Sequence, residues 1–336
     1  MSLATPSPSS LTGAFDLSEH NTLGLAARAL HGGFLTEPQD VAAAHDFASR
    51  RGLPFHLLGG GSNCVLAPEI EAVVGLVRLR GRSLDRSTPD LVRVTARAGE
   101  SWADLVAWTV AQGIGGLENL AGIPGTVGAA PIQNIGAYGI ELADVFDHLT
   151  ALEVGTGRRL RFDRAACRFA YRHSRFKEAP GRYMVCDVTL ALPQPWRPVL
   201  GYAGLDALDG PVTPRRVMEA VLALRSAKLP DWRRTGNAGS FFHNPILPAE
   251  AVARLPEMPS HPVEGGIKLS AGWLLEAAGL KGARHGGAGF SDQHALVLVN
   301  HGGATFEDVT ALAARAVRTV ETRFGVTLVQ EPVTLR

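Results

Sequence analysis

The stretch from Gly113 to Gly139 reads GIGGLENLAGIPGTVGAAPIQNIGAYG. Its apolar residues follow neither the 3.6-residue period of a helix nor the alternation of a strand. Apolar loops of this length are uncommon in compact domains unless they surround something. Glycine lets a backbone approach a ligand closely, because it has no Cβ and tolerates positive φ. The stretch therefore predicts a ligand-binding loop rather than a regular element.

A second glycine loop, Gly59-Gly60-Gly61-Ser62-Asn63, follows a short buried strand predicted at residues 53–58. Its backbone N–H groups could contact a phosphate, although a plain tight turn explains it equally well when it is taken alone. Cys64 stands where the dinucleotide motif G-x-G-x-x-G needs its last glycine, and no Lys-Ser/Thr follows. Two separate glycine loops in one domain fit a long ligand such as a flavin dinucleotide, with its pyrophosphate against backbone amides.

The composition narrows the class of protein. A chain of 336 residues predicts two domains. With 33 Lys and Arg against 32 Asp and Glu, no global charge favours nucleic acid or an anionic membrane. The 38 glycines exceed the roughly 24 expected at a usage of about 7%, without the period of a repeat protein.

The cysteines and the N-terminus predict a cytoplasmic protein. The spacing of the three cysteines, Cys64, Cys167 and Cys186, fits neither a disulfide framework nor a zinc site. Residues 1–11 lack the basic and long apolar regions of a signal peptide, and no segment has the length of a membrane span. We expect residues 1–20 to form a flexible tail.

Four helices are predicted from caps and apolar spacing. The first is a helix at residues 38–50 capped by Thr36 with Gln39, and the second, of about 11 residues, begins at Ser101 with Asp104 and ends at Gly113. The third follows Thr213-Pro214 and ends on Arg225 and Lys228. The fourth begins at Thr305 with Asp308 and runs to Gly325. Residues 147–192 are rich in strand patterns. Helices and strands without strict alternation indicate an α+β fold. Pro193, Pro195 and Pro198 break the last strand, so we expect a domain boundary near residue 195.

Three polar residues stand out, each with an ordinary structural explanation. Arg172 is one of several arginines in its region and could be a solvated surface cation. Ser240, in Asn237-Ala238-Gly239-Ser240-Phe241-Phe242, could simply cap a turn. No Gly-x-Ser-x-Gly motif surrounds Ser240, which argues against a serine nucleophile. Glu331 follows an apolar strand near the C-terminus, where most acidic residues are solvated. The eleven histidines show no ligand spacing, and we expect no metal.

Taken together, these segments resemble the UDP-N-acetylenolpyruvoylglucosamine reductase (MurB) family of flavoproteins. The match runs over about residues 21–331 in the family's order and is carried by Asn21-Thr22-Leu23-Gly24, Leu58 to Asn63, Gly116-Leu117-Glu118-Asn119-Leu120, Pro131 to Gly139, Cys167-Arg168-Phe169 with Tyr171-Arg172, Gly236 to Asn244, Lys268-Leu269 with Ala271 to Leu274, and Ala295 to Leu298.

The resemblance implies a two-lobed FAD-binding module of the vanillyl-alcohol-oxidase (PCMH) type at residues 21–195, with lobes at about 21–80 and 81–195. A substrate-binding α+β domain at 196–336 follows, with a tyrosine loop near 200–205 and a C-terminal catalytic segment. It further implies bound FAD, NADPH as the reductant, and reduction of UDP-N-acetyl-enolpyruvoylglucosamine to UDP-N-acetylmuramate for peptidoglycan synthesis. No obligate protein partner is expected.

The resemblance also assigns residues. Arg172 matches the carboxylate-binding arginine, Ser240 the proton donor and Glu331 the catalytic glutamate. The substrate positions are Tyr171, Tyr202, Lys228, Asn244, Lys281 and His294. The flavin positions are Gly59, Gly60, Gly61, Ser62, Asn63, Gly122, Ile123, Gly128, Ala129, Ala130, Ile132, Asn134, Gly136 and Tyr138.

The sequence departs from some relatives at three places. Ala129-Ala130 replaces a serine pair, so the backbone must serve the flavin there. His294 replaces a glutamine, and His261 stands where a tyrosine covers the uridine. Two other functions stay open: a flavoprotein oxidase of the same fold acting on another substrate, and a nucleotide-sugar-binding relative without catalysis.

Overall fold

The computed structural model describes residues 11–336, and in this range the chain folds into two compact units built from several segments each. The first unit contains the described residues up to Phe15, then Ala29–Gly60 and Glu71–Ala227. The second contains Asp16–Arg28, Gly61–Ile70 and Lys228–Arg336. Both mix helices with sheets, so the predicted α+β class is confirmed.

The strands within the described range are β1 (Leu11–Asp16), β2 (Arg28–Leu35), β3 (Phe55–Leu58), β4 (Cys64–Leu66), β5 (Glu69–Val77), β6 (Arg82–Thr88), β7 (Leu91–Arg97), β8 (Gly136–Ala137), β9 (Ile140–Glu141), β10 (Phe146–Glu153), β11 (Arg158–Asp163), β12 (Tyr183–Pro193), β13 (Gly236–Ser240), β14 (Ile246–Leu247), β15 (Ser260–Val263), β16 (Gly266–Leu269), β17 (Arg284–His285), β18 (Ala288–Phe290), β19 (Val297–Asn300) and β20 (Val333–Leu335).

The helices in the same range are α1 (Pro38–Arg50), α2 (Trp102–Ala111), α3 (Leu142–Val145), α4 (Arg164–Cys167), α5 (Arg175–Glu178), α6 (Pro214–Lys228), α7 (Ala249–Val252), α8 (Ala271–Ala277) and α9 (Phe306–Phe324), with short 3-10 turns at Ser18–His20, Glu118–Leu120 and Ala130–Ile132. None of these helices combines the length and the apolar character that a membrane span requires.

The first unit has a two-stranded sheet, β8-β9, and is built on two larger sheets. One has the strand order β1-β2-β5-β3, in which β3 and β5 run parallel. The other is antiparallel, in the order β11-β10-β12-β7-β6. A buried apolar cluster takes Leu35 and Val77 from the first sheet and Met184 and Cys186 from the second. The strands of the first sheet lie within residues 11–77 and those of the second within residues 82–193, and the lobes expected at about residues 21–80 and 81–195 stay a prediction.

A larger core lies against the second sheet of this unit. It joins one face of β12, the buried face of α2 and the glycine-rich stretch. Helix α6 contributes the fully buried Val217 and Val221 to the same core, and Leu205 joins them. The boundary expected near residue 195 is therefore displaced in the structure, where the chain divides between Ala227 and Lys228. The prolines end β12, but the chain after them still buries apolar residues in the core of the first unit.

The second unit has three small sheets, in the orders β13-β19-β18-β17, β14-β16-β15 and β20-β4. Its core is formed by Phe241, Phe242 and Phe290 with the apolar faces of α8 and α9. Helix α9 begins at the predicted capping box of Thr305 and Asp308 and ends on Gly325 at φ +65°. Apolar side chains three or four residues apart along α9 give it one buried face, as its sequence predicts.

Two further expectations need correction. The tail expected at residues 1–20 is ordered from Leu11, because β1 joins the first sheet and Asp16–Arg28 belongs to the second unit; residues 1–10 lie outside the described range. Helix α1 is capped by Glu37 and Asp40 rather than by Thr36 and Gln39. The Asp40 carboxylate accepts the N–H groups of Thr36 and Glu37 and the Thr36 hydroxyl. An ionised carboxylate is a stronger acceptor for these donors than a neutral amide.

Candidate active site

The two glycine loops meet within the first unit. A Cβ added at Gly59 would lie 2.5 Å from Oγ1 of Thr126, and one added at Gly60 would lie 3.0 Å from Cα of Gly125. Neither position has room for a side chain, so both glycines are required by close approach. The loops predicted from separate segments of sequence therefore form one structure.

The longer loop is held against the end of β7 by backbone hydrogen bonds. The N–H of Val127 donates to the Glu100 carbonyl (2.9 Å), and the N–H of Gly128 donates to the Ala98 carbonyl (2.9 Å). A Cβ at Gly128 would lie 2.5 Å from that of Ala98, so this glycine too is required. Helix α2 starts beside this pairing with the predicted Ser101 cap, which accepts the Asp104 N–H at 3.3 Å.

A cavity opens beside this contact. Four of the residues that line it, Gly59, Gly128, Ala129 and Ile132, are among the predicted flavin positions. The other lining residues were not predicted as flavin positions; they are Leu57, Leu58, Val77, Ala98, Thr126, Tyr183, Met184 and Val185. They come from segments that are far apart in sequence, so no single local motif contains them all. The lining is apolar with glycine backbone at one end, which suits an aromatic ring system joined to a diphosphate.

Arg78 was also missed by sequence reasoning. Its guanidinium donates to the Gly59 carbonyl at 2.9 Å and to the Val77 carbonyl at 3.0 Å. Burial, and secondarily the charge of Arg80, lowers the pKa of Arg78. A half-buried cation therefore supports the short glycine loop at Gly59.

The remaining part of the short loop belongs to the second unit. Gly61, at φ +61°, accepts the Thr22 N–H at 3.1 Å. The side-chain amide of Asn63 donates to the Glu331 carbonyl at 3.4 Å, and the Asn63 carbonyl accepts the Val333 N–H at 3.0 Å. These bonds tie Gly61, Ser62 and Asn63 to the N-terminal motif that starts at Asn21 and to the C-terminal segment.

Arg172 lies at the tip of a tight turn in the first unit. Ala170 and His173 pair across the turn, and Arg172 itself adopts the left-handed φ of +52°. Its guanidinium donates to the Gly136 carbonyl at 3.1 Å and lies 5.5 Å from the ring centroid of Tyr171. The side chain is half-buried, so the solvated surface cation considered from sequence does not describe it. A strained turn that fixes an arginine on the glycine-rich stretch is typical of a functional position.

Tyr138, Tyr202 and Arg225 form a second polar group of the first unit. The two tyrosine rings meet edge to face with centroids 4.9 Å apart. The Tyr138 hydroxyl interacts with the Arg225 guanidinium, and burial raises the pKa of Tyr138. Burial lowers the pKa of Arg225. Arg225 also packs on Gly122, where a Cβ would lie 3.1 Å from its Nε. Ile123, the next predicted flavin position, packs partly buried against the same core.

Asn134 has a clear structural role. Its amide nitrogen donates to Glu141 at 2.6 Å and to the Ala170 carbonyl at 3.3 Å, and its amide oxygen accepts the Ala143 N–H at 2.9 Å. These contacts hold the turn that precedes Gly136. Ala130 lies in the 3-10 turn just before it, and its N–H donates to the Thr126 carbonyl at 3.2 Å.

In the second unit, the C-terminal segment pairs with the chain that follows Ser240. The N–H of Glu331 donates to the Phe241 carbonyl, and the N–H of His243 donates to the Val329 carbonyl, both at 2.9 Å. The Glu331 carboxylate is only 9% exposed and lies 3.4 Å from Nδ1 of His243. Glu331 is therefore buried in the C-terminal segment that pairs with the chain directly after Ser240, and it does not occupy the solvated position expected for most such residues.

Four predicted substrate residues converge elsewhere in the second unit. The side chain of Asn244 accepts the Ala271 N–H at 3.0 Å, and a Cβ at Gly272 would lie 3.0 Å from Cε1 of His294. Burial is the main cause that lowers the pKa of His294, and the positive charges of Lys228 and Lys281 lower this pKa further. The charge of Glu276 acts in the opposite direction and raises it. Lys281 pairs with Glu276 at 2.9 Å. The group is cationic and suits a diphosphate. Among residues 11–336, no cluster of His, Cys, Asp and Glu could hold a metal ion.

Comparison with known proteins identifies the family. A family model described as UDP-N-acetylenolpyruvoylglucosamine reductase, C-terminal domain, matches residues 231–335, and one described as FAD binding domain matches residues 34–162. The UDP-N-acetylenolpyruvoylglucosamine reductase of Burkholderia orbicola is 49% identical over 332 residues, which cover 95% of each chain. The chain belongs to the UDP-N-acetylenolpyruvoylglucosamine reductase family.

Other members of this reductase family agree. The enzyme of that name from Burkholderia vietnamiensis is 48% identical and covers 98% of each chain. The crystal structure of the MurB reductase from Thermus caldophilus superposes with a TM-score of 0.68 at 25% identity, covering 97% of this chain and 98% of that one. The expected family resemblance is confirmed, and the protein is an oxidoreductase with an FAD-binding domain.

Proposed function

We propose that this protein uses NADPH and bound FAD to reduce UDP-N-acetylenolpyruvoylglucosamine to UDP-N-acetylmuramate, a peptidoglycan precursor. When bound, FAD would supply hydride transfer from NADPH to the terminal carbon of the enolpyruvyl group, and Gly59, Gly128, Ala129 and Ile132 would line its site. The observation that supports this most is the buried Glu331 paired beside Ser240, in a chain 49% identical to a reductase of that name. The compartment is the cytoplasm, in keeping with three free and buried cysteines.

Arg172 binds the carboxylate of the enolpyruvyl group in this proposal. Hydride addition places negative charge on the carbon next to that carboxylate, and a guanidinium stabilises the resulting enolate with paired donors. Its left-handed turn and its bond to the Gly136 carbonyl fix the direction from which the guanidinium acts. Tyr171, whose ring lies beside the guanidinium, completes this end of the substrate site.

Ser240 donates the proton that completes the reduction. A serine hydroxyl is a weak acid in water, so it needs neighbours that stabilise the alkoxide or return a proton. Ser240 ends β13, directly after Gly239 at φ +73°, and is half-buried. Glu331 assists by orienting the carboxylate end of the substrate, and its pairing with the Phe241 carbonyl fixes its backbone.

In the second unit, Lys228 and Asn244 hold the diphosphate of the UDP group, together with Lys281 and His294. In the first unit, Tyr202 is the residue assigned to the sugar nucleotide. In the second unit, the two lysines raise the local positive potential around His294. Lysine suits a diphosphate because its ammonium is a compact charge on a flexible stem. This local charge explains how a chain with a net charge of only +1 can bind an anionic nucleotide sugar.

An anaerobic half-reaction experiment tests the proposal. The purified protein is expected to be yellow, to bleach on addition of NADPH, and to regain colour rapidly on addition of UDP-N-acetylenolpyruvoylglucosamine. Fast reoxidation by oxygen and none by the sugar nucleotide would indicate an oxidase with another substrate. A protein that binds UDP sugars without any flavin turnover would indicate a relative without catalysis. Either result would refute the proposed reaction.

A further inference from the structure

Two adjacent buried side chains in the glycine-rich stretch, Glu118 and Asn119, hold the chain that leads into the tyrosine loop. Glu118 is 2% exposed and Asn119 is 1% exposed. Both lie in a short 3-10 turn, and the proposed reaction uses neither of them. Buried polar groups of this kind are retained only when their hydrogen bonds are satisfied.

Glu118 uses both carboxylate oxygens. Oε1 accepts the indole N–H of Trp196 at 2.8 Å, and Oε2 accepts the Gly116 N–H at 2.6 Å. The Trp196 ring lies directly on the backbone, because a Cβ at Gly115 would be 2.3 Å from its Cδ1 and Nε1. Hydrogen bonds to a buried carboxylate are stronger than bonds between neutral groups. Trp196 is thereby docked on the glycine-rich stretch in one orientation.

Asn119 holds the same segment by a second set of hydrogen bonds. Its amide nitrogen donates one hydrogen to the Tyr138 carbonyl at 2.8 Å and the other to the Val199 carbonyl at 2.9 Å. One amide therefore joins a predicted flavin residue to the chain three residues before Tyr202. The rings of Tyr138 and Tyr202 then meet at 4.9 Å. The hydrogen bonds to Trp196 and Val199 thus fix the position of Tyr202 against Tyr138.

We propose that Glu118 and Asn119 are positioning residues that dock residues 196–202 and so preorganise Tyr202 for the sugar nucleotide. The inference rests on the proposed function, because Tyr202 is given its role there. Loss of the hydrogen bond to Trp196 or of the one to Val199 leaves flavin binding and reduction by NADPH intact. It weakens binding of the sugar nucleotide, because residues 196–202 must then lose conformational freedom when the ligand binds.

The experiment combines hydrogen exchange with kinetics on the FAD-bound protein. Trp196→Phe keeps the ring and removes the N–H, and Asn119→Ala removes both amide donors. Each is expected to speed amide exchange in residues 197–205 and to raise the KM for UDP-N-acetylenolpyruvoylglucosamine by about tenfold. The rate of flavin reduction by NADPH should stay within about twofold. Glu118→Gln, which can still accept the indole N–H, should raise KM less than Glu118→Ala.

Trp108→Phe is the matched control, since Trp108 packs against the same core and its ring contacts Arg82. It should change neither readout. Unchanged exchange at 197–205 in Trp196→Phe and Asn119→Ala would overturn the docking role. Faster exchange with an unchanged KM would overturn the preorganisation of Tyr202. Wild-type protein that does not reduce the sugar nucleotide would refute the proposed function instead, and the exchange data would still test the docking.

Discussion

Gly59 and Thr126 stand so close that a Cβ on the glycine would lie 2.5 Å from the threonine hydroxyl oxygen. The nearest atom belongs to a short, β-branched side chain with little rotamer freedom. Ala129 limits movement on the other side, with its Cβ 3.4 Å from the same point. The contact between the two glycine loops thus depends on the absence of one methyl group.

Gly59→Ala is therefore expected to force the loops apart and to empty the FAD site. Overpacking of this kind costs about 1–3 kcal/mol. If this cost destabilises the loop conformation that binds FAD, the FAD affinity falls at least about fivefold. The ratio of absorbance at 450 nm to that at 280 nm in purified protein measures the retained flavin, and titration of apoprotein with FAD measures the affinity.

Two variants separate this effect from general damage. Gly155→Ala places a methyl group in a turn where nothing lies within 4 Å, and it should keep its flavin. In Gly59→Ala/Thr126→Ala the clashing oxygen is gone and the next threonine atom, Cβ, lies at 3.6 Å, so FAD binding should recover in part. A double variant as poor as Gly59→Ala would contradict the steric explanation.

Tyr138→Phe should destabilise the first unit. The substitution keeps the ring contact with Tyr202 and removes the hydroxyl that interacts with Arg225, a guanidinium whose pKa is already lowered by burial. Removing the polar partner of a desolvated group costs about 1–3 kcal/mol. Urea denaturation should show a lower midpoint with an unchanged slope. Tyr183→Phe, at a tyrosine packed on Phe162 and Phe176, is the control and should cost less.

Ser240→Ala separates the two half-reactions. If Ser240 supplies the proton, reduction of the flavin by NADPH should proceed at the wild-type rate, and oxidation by the sugar nucleotide should slow by about 10²–10⁴-fold. Stopped-flow absorbance at 450 nm follows both steps. Ser226→Ala, at an exposed helical serine, is the matched control. Equal slowing of both steps would show a defect in flavin binding rather than in proton transfer.

The sequence predicted the fold well where the determinants are local. Capping residues and apolar spacing placed α2, α6 and α9, because a cap and a buried face are properties of one segment. The domain boundary was misplaced because prolines after β12 mark the end of a strand but carry no information about where the chain packs next. Burial of Leu205, Val217 and Val221 decides that, and it depends on the whole core.

The same distinction explains the site. The glycine loops could be predicted because their composition is unusual. Arg172, Ser240 and Glu331 were predicted only through the family resemblance, since each also has an ordinary structural explanation in its local sequence. Thr126 and Arg78 were missed. Their importance lies in contacts with Gly59, which is 67 and 19 positions away in the chain. Only the folded structure brings such residues together.

His294 should make the second unit sensitive to acid. Burial and the neighbouring lysines, Lys228 and Lys281, lower its pKa below the ordinary value of 6.5. Between the folded and unfolded pKa values the unfolded chain binds the extra proton, so the free energy of unfolding falls as the pH drops below about 6.5. Above that pH the imidazole is neutral in both states, and its contribution to stability is fully present.

His294→Gln removes this titration. Urea denaturation of wild type and variant between pH 8 and pH 5 should show a constant difference in the free energy of unfolding at pH 7–8. Below about pH 6.5 the difference should shift in favour of the variant, because only the wild type carries a histidine whose protonation is disfavoured by burial and by two lysines. His56 and His301, whose pKa values burial also lowers, are present in both proteins and cancel in the comparison. Parallel curves over the whole range would show that His294 carries no such penalty.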